Sequence, residues 1–300
     1  MAEPEAAASP SADRTAELSR LERGLDALET GAPARRSVWS WLQRSALPPV
    51  LAVVLVLAVW QAFVLTGFMP RYKVPAPADV WTSVLDHWRD GLIQTTVVNS
   101  VHRGGLGFLM AVIVGTPLGL LVARVGPIRA AVRPVLSGLQ SLPSVAWVPA
   151  ALIWFGLSDA AIYAVVLLGA VPSIANGLVA GVDQIPPLYL RVGKVLGARG
   201  LGTVRHVLLP AALPGYLAGL KQGWAFSWRS LMAAELITVS RDIGPGLGQF
   251  LAQGREQIDM AWVMLGIILI LLVGIAIELL VFAPLERRVL HTRGLVGAAR

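Results

Sequence analysis

Six stretches of about 20 predominantly apolar residues run through this chain, at 46–67, 99–123, 135–157, 160–181, 212–237 and 260–283. In the hydrocarbon of a bilayer, backbone N–H and C=O groups find no water. Each must be satisfied by the protein itself, and uninterrupted apolar runs of this length fit an α-helix and not the alternating strand of a closed barrel. Hydrophobic residues make up 55% of the 300 positions and charged residues 14%, against about 45–50% and 25% in a globular protein. The pattern predicts an all-α membrane protein, a six-helix transmembrane bundle over 46–285. Gly104, Gly105, Gly107, Gly115 and Gly119 in the second run, and Pro143, Pro149 and Pro172 in the third and fourth, are tolerated where neighbouring helices cover the freed backbone groups.

The basic residues orient the bundle. With the N-terminus inside, the cytoplasmic segments hold Arg14, Arg20, Arg23, Arg35, Arg36 and Arg44, then Arg124, Arg129 and Arg133, then a basic stretch from Arg191, then Arg287, Arg288, Arg293 and Arg300. The opposite segments hold only Arg71, Lys73, Arg89, Arg241 and Arg255. This asymmetry predicts a multi-pass protein with both termini in the cytoplasm, and it accounts for the basic charge without nucleic acid. No cysteine is present, which excludes disulfides and thiolate metal sites.

Residues 1–45 form a separate cytoplasmic extension. Its first 14 residues, MAEPEAAASPSADR, have the composition of disordered chain. Leu18, Leu21, Leu25 and Leu28 then recur at helical spacing and predict an amphipathic helix. The first apolar run starts too late and is too long for a secretory signal peptide. Between the first two spans, VPAPADVWTSVLDHWRDGL begins as extended chain and turns amphipathic near Ala78, predicting an external interfacial helix anchored by Trp81 and Trp88. Residues 286–300 form a short cytoplasmic tail.

Between the fourth and fifth spans lies RVGKVLGARGLGTVRHVLLP, residues 191–210. The connection, about 184–210, is longer than two neighbouring spans need. Leu188, Leu190, Val192 and Val195 supply apolar positions, Gly197 and Gly200 allow a sharp turn, and Val204, Val207 and Leu208 begin a second short helix. Pro210 suits the first turn of the helix after it. The stretch predicts a helical hairpin projecting from the membrane. It is no phosphate loop: no glycine precedes Gly193-Lys194 at the required spacing, and no Ser or Thr follows to hold magnesium. GPGLG at 244–248, with no strand before it, reads as a turn.

The fifth run carries an unusual set of polar residues. Lys221, Trp224, Trp228 and Glu235 are separated by 3, 4 and 7 residues and share one helix face, with Arg229 at its edge. Charges at this depth cost about 2.5–3.5 kcal/mol on insertion scales and turn toward a cavity or toward one another. The stripe is a candidate translocation path for a small organic anion, with Lys221 or Arg229 attracting it and the indoles offering apolar walls. The alternatives are that Lys221 snorkels toward the cytoplasm, that Glu235 pairs with Arg229 or caps a helix end, and that the tryptophans pack. Arg103 and Glu278 read as structural charges; Ser144, in the Pro143 break, is a candidate to face the cavity.

Two other classes fit less well. An ion-coupled secondary transporter predicts two related halves with matching broken helices, and none are visible. His87, His102, His206 and His291 show no metal-ligand spacing, and no Ser, His and acid set converges, which argues against an enzyme.

Gly197, nine intervening residues, and then Val207-Leu208-Leu209-Pro210 resemble the "EAA" loop of permease subunits in bacterial binding-protein-dependent ABC importers. The Glu-Ala-Ala triplet is replaced by Arg191, Val192 and Gly193. From Trp60 to Glu286, VPAPADVW, PVLSGLQSLPSVAWVPAALIWFG, LPAALPGYLAGLKQGWAFSWRSLMAAELI and GLGQFL resemble the branch handling aliphatic sulfonates, taurine and nitrate. The resemblance implies a type I importer permease fold in the bacterial cytoplasmic membrane. It implies a second permease copy, a cytoplasmic ABC ATPase dimer that binds ATP and Mg, and an extracytoplasmic solute-binding protein; this chain would bind no cofactor. Arg191, Lys194, Gly197, Ala198, Val207, Leu209 and Pro210 would form the ATPase coupling contact. An aliphatic sulfonate is the favoured substrate, with nitrate, taurine or another small solute as alternatives.

Overall fold

The computed structural model describes residues 47–238 and 244–293, and within them every regular element is helical. The predicted amphipathic helix and the rest of 1–45 lie outside the described residues, as do Arg241 and 294–300. The described residues divide into two units between Phe63 and Val64. In the first, helix α1 (Leu47–Leu65) is apolar all round, as a lipid-facing span must be.

The second unit opens with α2 (Pro77–Arg89), the predicted interfacial helix. Pro77 sits at its first position, and the Asp79 carboxylate accepts the Ala76 N–H at 2.8 Å, closing the N-terminus. Trp81 and Trp88 are exposed. The spans follow as α3 (Leu92–Arg124), α4 (Gly126–Ser141), a 3-10 turn (Ser144–Trp147) leading into α5 (Val148–Phe155), and α6 (Asp159–Asp183). After the hairpin helix α7 (Pro187–Val195) come α8 (Leu209–Glu235), α9 (Leu247–Glu256), α10 (Met260–Ile277) and α11 (Ala283–Thr292). Among the described residues, α1, α3, α6 and the continuous Met260–Thr292 are long and apolar enough to cross a bilayer, and α4 with Ser144–Phe155 is a fifth candidate. Helix α8, at 27 residues, has the length of a span but carries Lys221, Arg229 and Glu235.

The expected third span is not one helix. The chain bends by 100° between Ser141 and Ser144, because Pro143 has no N–H to donate and holds Leu142 in extended conformation (φ −76°, ψ 130°).

The core is the crossing of α6 and α8. Gly177 and Gly181 on α6 face Gly215 and Gly219 on α8, so closely that a Cβ on Gly215 would lie 2.6 Å from the Gly181 Cα. Both helices read as small-xxx-small seams, which lets two backbones touch in a medium offering no hydrophobic drive to associate. Gly115 and Gly119 bring α3 against Ile174 and Ala175 of α6 in the same way.

Two π-helical turns interrupt the helices, at Val204–Leu208 and Glu278–Phe282, each two residues before a proline, Pro210 and Pro284. Neither proline can donate to the carbonyl four residues back. The wider turn absorbs the mismatch, with Leu209 N–H bonding Val204 O and Ala283 N–H bonding Glu278 O. The second hairpin helix is therefore not a separate element: residues 201–235 run on without a break.

Candidate functional site

The hairpin is a defined object. Helix α7 ends in a Schellman turn: Gly197 N–H bonds Lys194 O at 3.1 Å and Ala198 N–H bonds Gly193 O at 2.9 Å. Gly197 stands at φ +84° and Gly200 at φ +54°, a region in which L side chains are disfavoured and glycine is not. A third glycine has a different reason. Gly193 is buried, and a Cβ there would come within 2.8 Å of Val207 Cγ2, so the two arms of the hairpin close onto one another at this point. Ile185, Val204, Leu208, Leu178 and Ala212 form the apolar cluster beneath it.

Of the residues expected in the coupling contact, Arg191, Lys194 and Gly197 are exposed, Ala198 is half-buried, and Val207, Leu209 and Pro210 are partly covered at the base. Leu188, Tyr189, Val192, Val195 and Leu196 are all exposed, Val195 at 87%. Leu190 instead turns inward against the cluster. Tyr189 and Leu196 add to the apolar positions expected from the sequence. No acidic residue occurs between Asp183 and Glu235, so the hairpin itself carries only basic charges beside its apolar surface.

The five residues of the α8 stripe occupy separate environments. Lys221, part-exposed, bonds Glu278 at 2.6 Å and Glu286 at 3.4 Å, tying α8 to the last helix. Trp224 and Trp228 are stacked (centroids 6.1 Å, planes 22° apart). Phe108 sits edge-on to Trp224 at 5.5 Å, and both indoles lie in the packed core with Phe282 and Leu231. Arg229 is exposed, its guanidinium 4.7 Å from the Phe226 ring centre and its Nε donating to Ala225 O at 3.1 Å.

Glu235 is fully buried and does not pair with Arg229. Its Oε1 accepts from Arg103 Nη1 at 2.8 Å, and its Oε2 accepts from Ser100 Oγ at 2.7 Å and from Gly248 N–H at 3.1 Å. It thus caps the N-terminus of α9, the other role considered for it. Arg103 is likewise 0% exposed. Its Nε lies 3.3 Å from Asp159 and its Nη2 donates to Gly244 O. Ser100 Oγ in turn accepts Leu247 N–H at 2.7 Å, and Asn99 Nδ2 reaches Pro245 O at 2.8 Å. GPGLG is therefore more than a turn: a Cβ at Gly248 would lie 2.5 Å from Glu235 Cβ, so the loop is moulded around the carboxylate. One guanidinium fastens α3, α6, α8 and the 244–248 loop together. The signal was present in the sequence, since Arg103 and Glu235 are opposite charges at matching depths of their apolar runs. Ser144, meanwhile, is half-buried in the 3-10 turn.

The structure also gathers the basic residues assigned to the inner loops. Arg129 pairs with Asp183 at the end of α6, Arg124 and Lys194 line one cavity, and Arg293 donates to Pro210 O.

Residues 115–291 match the family described as "Binding-protein-dependent transport system inner membrane component". Over 267 residues the chain is 28% identical to the taurine transport system permease protein TauC of Escherichia coli (strain K12), covering 87% of this chain and 95% of that one. It is 30% identical over 260 residues to the nitrate import permease protein NrtB of Leptolyngbya laminosa, covering 83% and 92%. Among solved structures its fold is similar to a chain of the inward-facing MetNI methionine ABC transporter, with a TM-score of 0.53, 21% identity, and coverage of 66% and 96%. The chain belongs to the family of binding-protein-dependent transport system inner membrane components, permease subunits for which a separate ATPase hydrolyses ATP.

Proposed function

We propose that this chain forms the membrane path of an ATP-driven importer for a small organic anion, an aliphatic sulfonate. In this reading two copies assemble with a cytoplasmic ATPase dimer, which holds ATP and Mg, and an extracytoplasmic binding protein delivers the solute. The observation that carries it is the hairpin: a rigid, glycine-closed projection at the basic end of the bundle with five bare apolar side chains at its surface. That end faces the cytoplasm by the distribution of Lys and Arg. Closure of the ATPase dimer would push on this surface and move the bundle between inward and outward states.

Along the path, Arg229 takes the leading role. An exposed guanidinium at membrane depth is costly against lipid, which supports a water-filled path or a second copy beside this face of α8. Lys221, neutralised by Glu278 and Glu286, links the path to the last helix. Trp224, Trp228 and Glu235 keep the helix that presents Arg229 in place. A sulfonate is supported by the resemblance of the whole span region and by the taurine permease among the relatives.

The test is genetic and biochemical together. A deletion strain is expected to lose growth on alkanesulfonate as sole sulfur source and keep growth on nitrate as sole nitrogen source. Vesicles holding the assembled transporter are expected to take up the sulfonate only with ATP, with Arg229→Ala lowering the rate about tenfold and Arg229→Lys restoring most of it, the size of one lost charge-assisted contact. Uptake driven by an ion gradient without ATP, or loss of growth on nitrate alone, contradicts the proposal.

A further inference from the structure

Two groups of cations at the hairpin end of the bundle stand in opposite electrostatic situations. Arg129 and Arg133 share the carboxylate of Asp183, at 2.6 and 3.9 Å. Arg124, Lys194 and Arg199 have no such partner. They line a cavity of about 640 Å³ whose wall contains no acidic residue, and none of them makes an ion pair or side-chain hydrogen bond among the described residues. Three like charges around one space repel each other unless an anion enters.

The cavity lies behind the hairpin. Leu190 and Lys194, one turn apart on α7, face it, while Leu188, Val192 and Val195, on the opposite side of that helix, are exposed. Its other wall comes from the ends of two spans, Arg124 on α3 and Val182 on α6. A cavity at the ends of membrane helices is at headgroup depth. Its make-up matches that level: Val182, Leu190 and Leu208 give apolar surface and the three cations a place for a phosphate.

We propose that this cavity binds the phosphate of an anionic phospholipid headgroup. Arg124 belongs to the membrane body, and Lys194 and Arg199 to the hairpin, so the bound phosphate bridges the two. The lipid thereby fixes the hairpin against the spans. Binding itself does not depend on what docks on the outer face.

The test uses the purified full chain in detergent and native mass spectrometry with phosphatidylglycerol or phosphatidylcholine. Phosphatidylglycerol is expected to be retained in preference to phosphatidylcholine. Arg124→Ala and Arg199→Ala are each expected to weaken that retention about fivefold, as one basic contact to an anionic lipid predicts, and Arg255→Ala, which removes the same charge elsewhere, to leave it unchanged. Arg199 is exposed and its side chain has no partner among the described residues, so its replacement does not put folding at stake. Millimolar inorganic phosphate is expected not to displace the lipid. Equal retention of the two lipids, equal retention by wild type and both variants, or ready displacement by inorganic phosphate overturns the proposal.

Discussion

Replacing Arg103 with alanine is expected to cost the folded chain about 3–5 kcal/mol, the range for removing one partner of a buried ion pair. The size follows from what is left behind. Glu235, fully buried, and Asp159, nearly so, would keep their carboxylates without the guanidinium that lies between them, and Gly244 would lose the donor that holds its carbonyl. Arg103→Lys is expected to recover only part of the loss, because an ammonium cannot present the planar fork that reaches Glu235, Asp159 and the loop at once. Glu235→Gln should be milder than Arg103→Ala, since an amide oxygen still accepts from Ser100 and Gly248. Thermal unfolding of the detergent-purified variants gives this order. A wild-type melting temperature for Arg103→Ala would mean that the buried cluster does not hold α3, α6 and α8 together at this end.

Gly197→Val is expected to insert and fold yet lose most stimulation of the partner ATPase. No atom lies within 4 Å of where a Cβ would stand, so the change makes no clash. It acts on the backbone, which at φ +84° is strained by about 1–2 kcal/mol for a residue with a Cβ, and most for a β-branched one. That strain depopulates the closed Schellman turn about 5–30-fold. Gly197→Asn, which tolerates the left-handed region, should keep several-fold more stimulation than Gly197→Val. The comparison separates backbone geometry from side-chain bulk. Equal ATPase stimulation by wild type and the valine variant would show that the turn is not part of the coupling surface.

The spans were legible because a backbone in lipid must be satisfied without water, and an uninterrupted apolar run of about 20 residues does so as a helix. The hairpin was legible for a related reason: Gly197, Gly200 and Pro210 each restrict φ or hydrogen bonding whatever surrounds them. Features that depend on the crossing of distant helices were not. Arg103 and Glu235 each stand out as charges in apolar runs, but their pairing across 132 residues requires knowing that α3 and α8 meet. The glycines of α6 and α8 fix that meeting, and their four-residue spacing is visible in the sequence. Pro143 marks a break in the third run but not its size, and the extended Leu142 before it turns the chain by 100°. Likewise Pro210 suits the start of a helix, and the π turn before it instead lets one helix continue through it. The α8 stripe shows the limit of face arguments. Shared angle placed Lys221, Trp224, Trp228 and Glu235 together, but partners on other helices gave each a different environment.

In the proposed assembly the hairpin lies in the cytoplasm and is held there by the ATPase. The chain contains no cysteine, so Val195→Cys, on a side chain 87% exposed, provides a unique label site. A membrane-impermeant maleimide is predicted to react with it in inside-out vesicles stripped of the ATPase, to be blocked once the ATPase is reassembled, and not to react in intact cells. Labelling of intact cells from outside, or labelling in inside-out vesicles that bound ATPase does not slow, would contradict it.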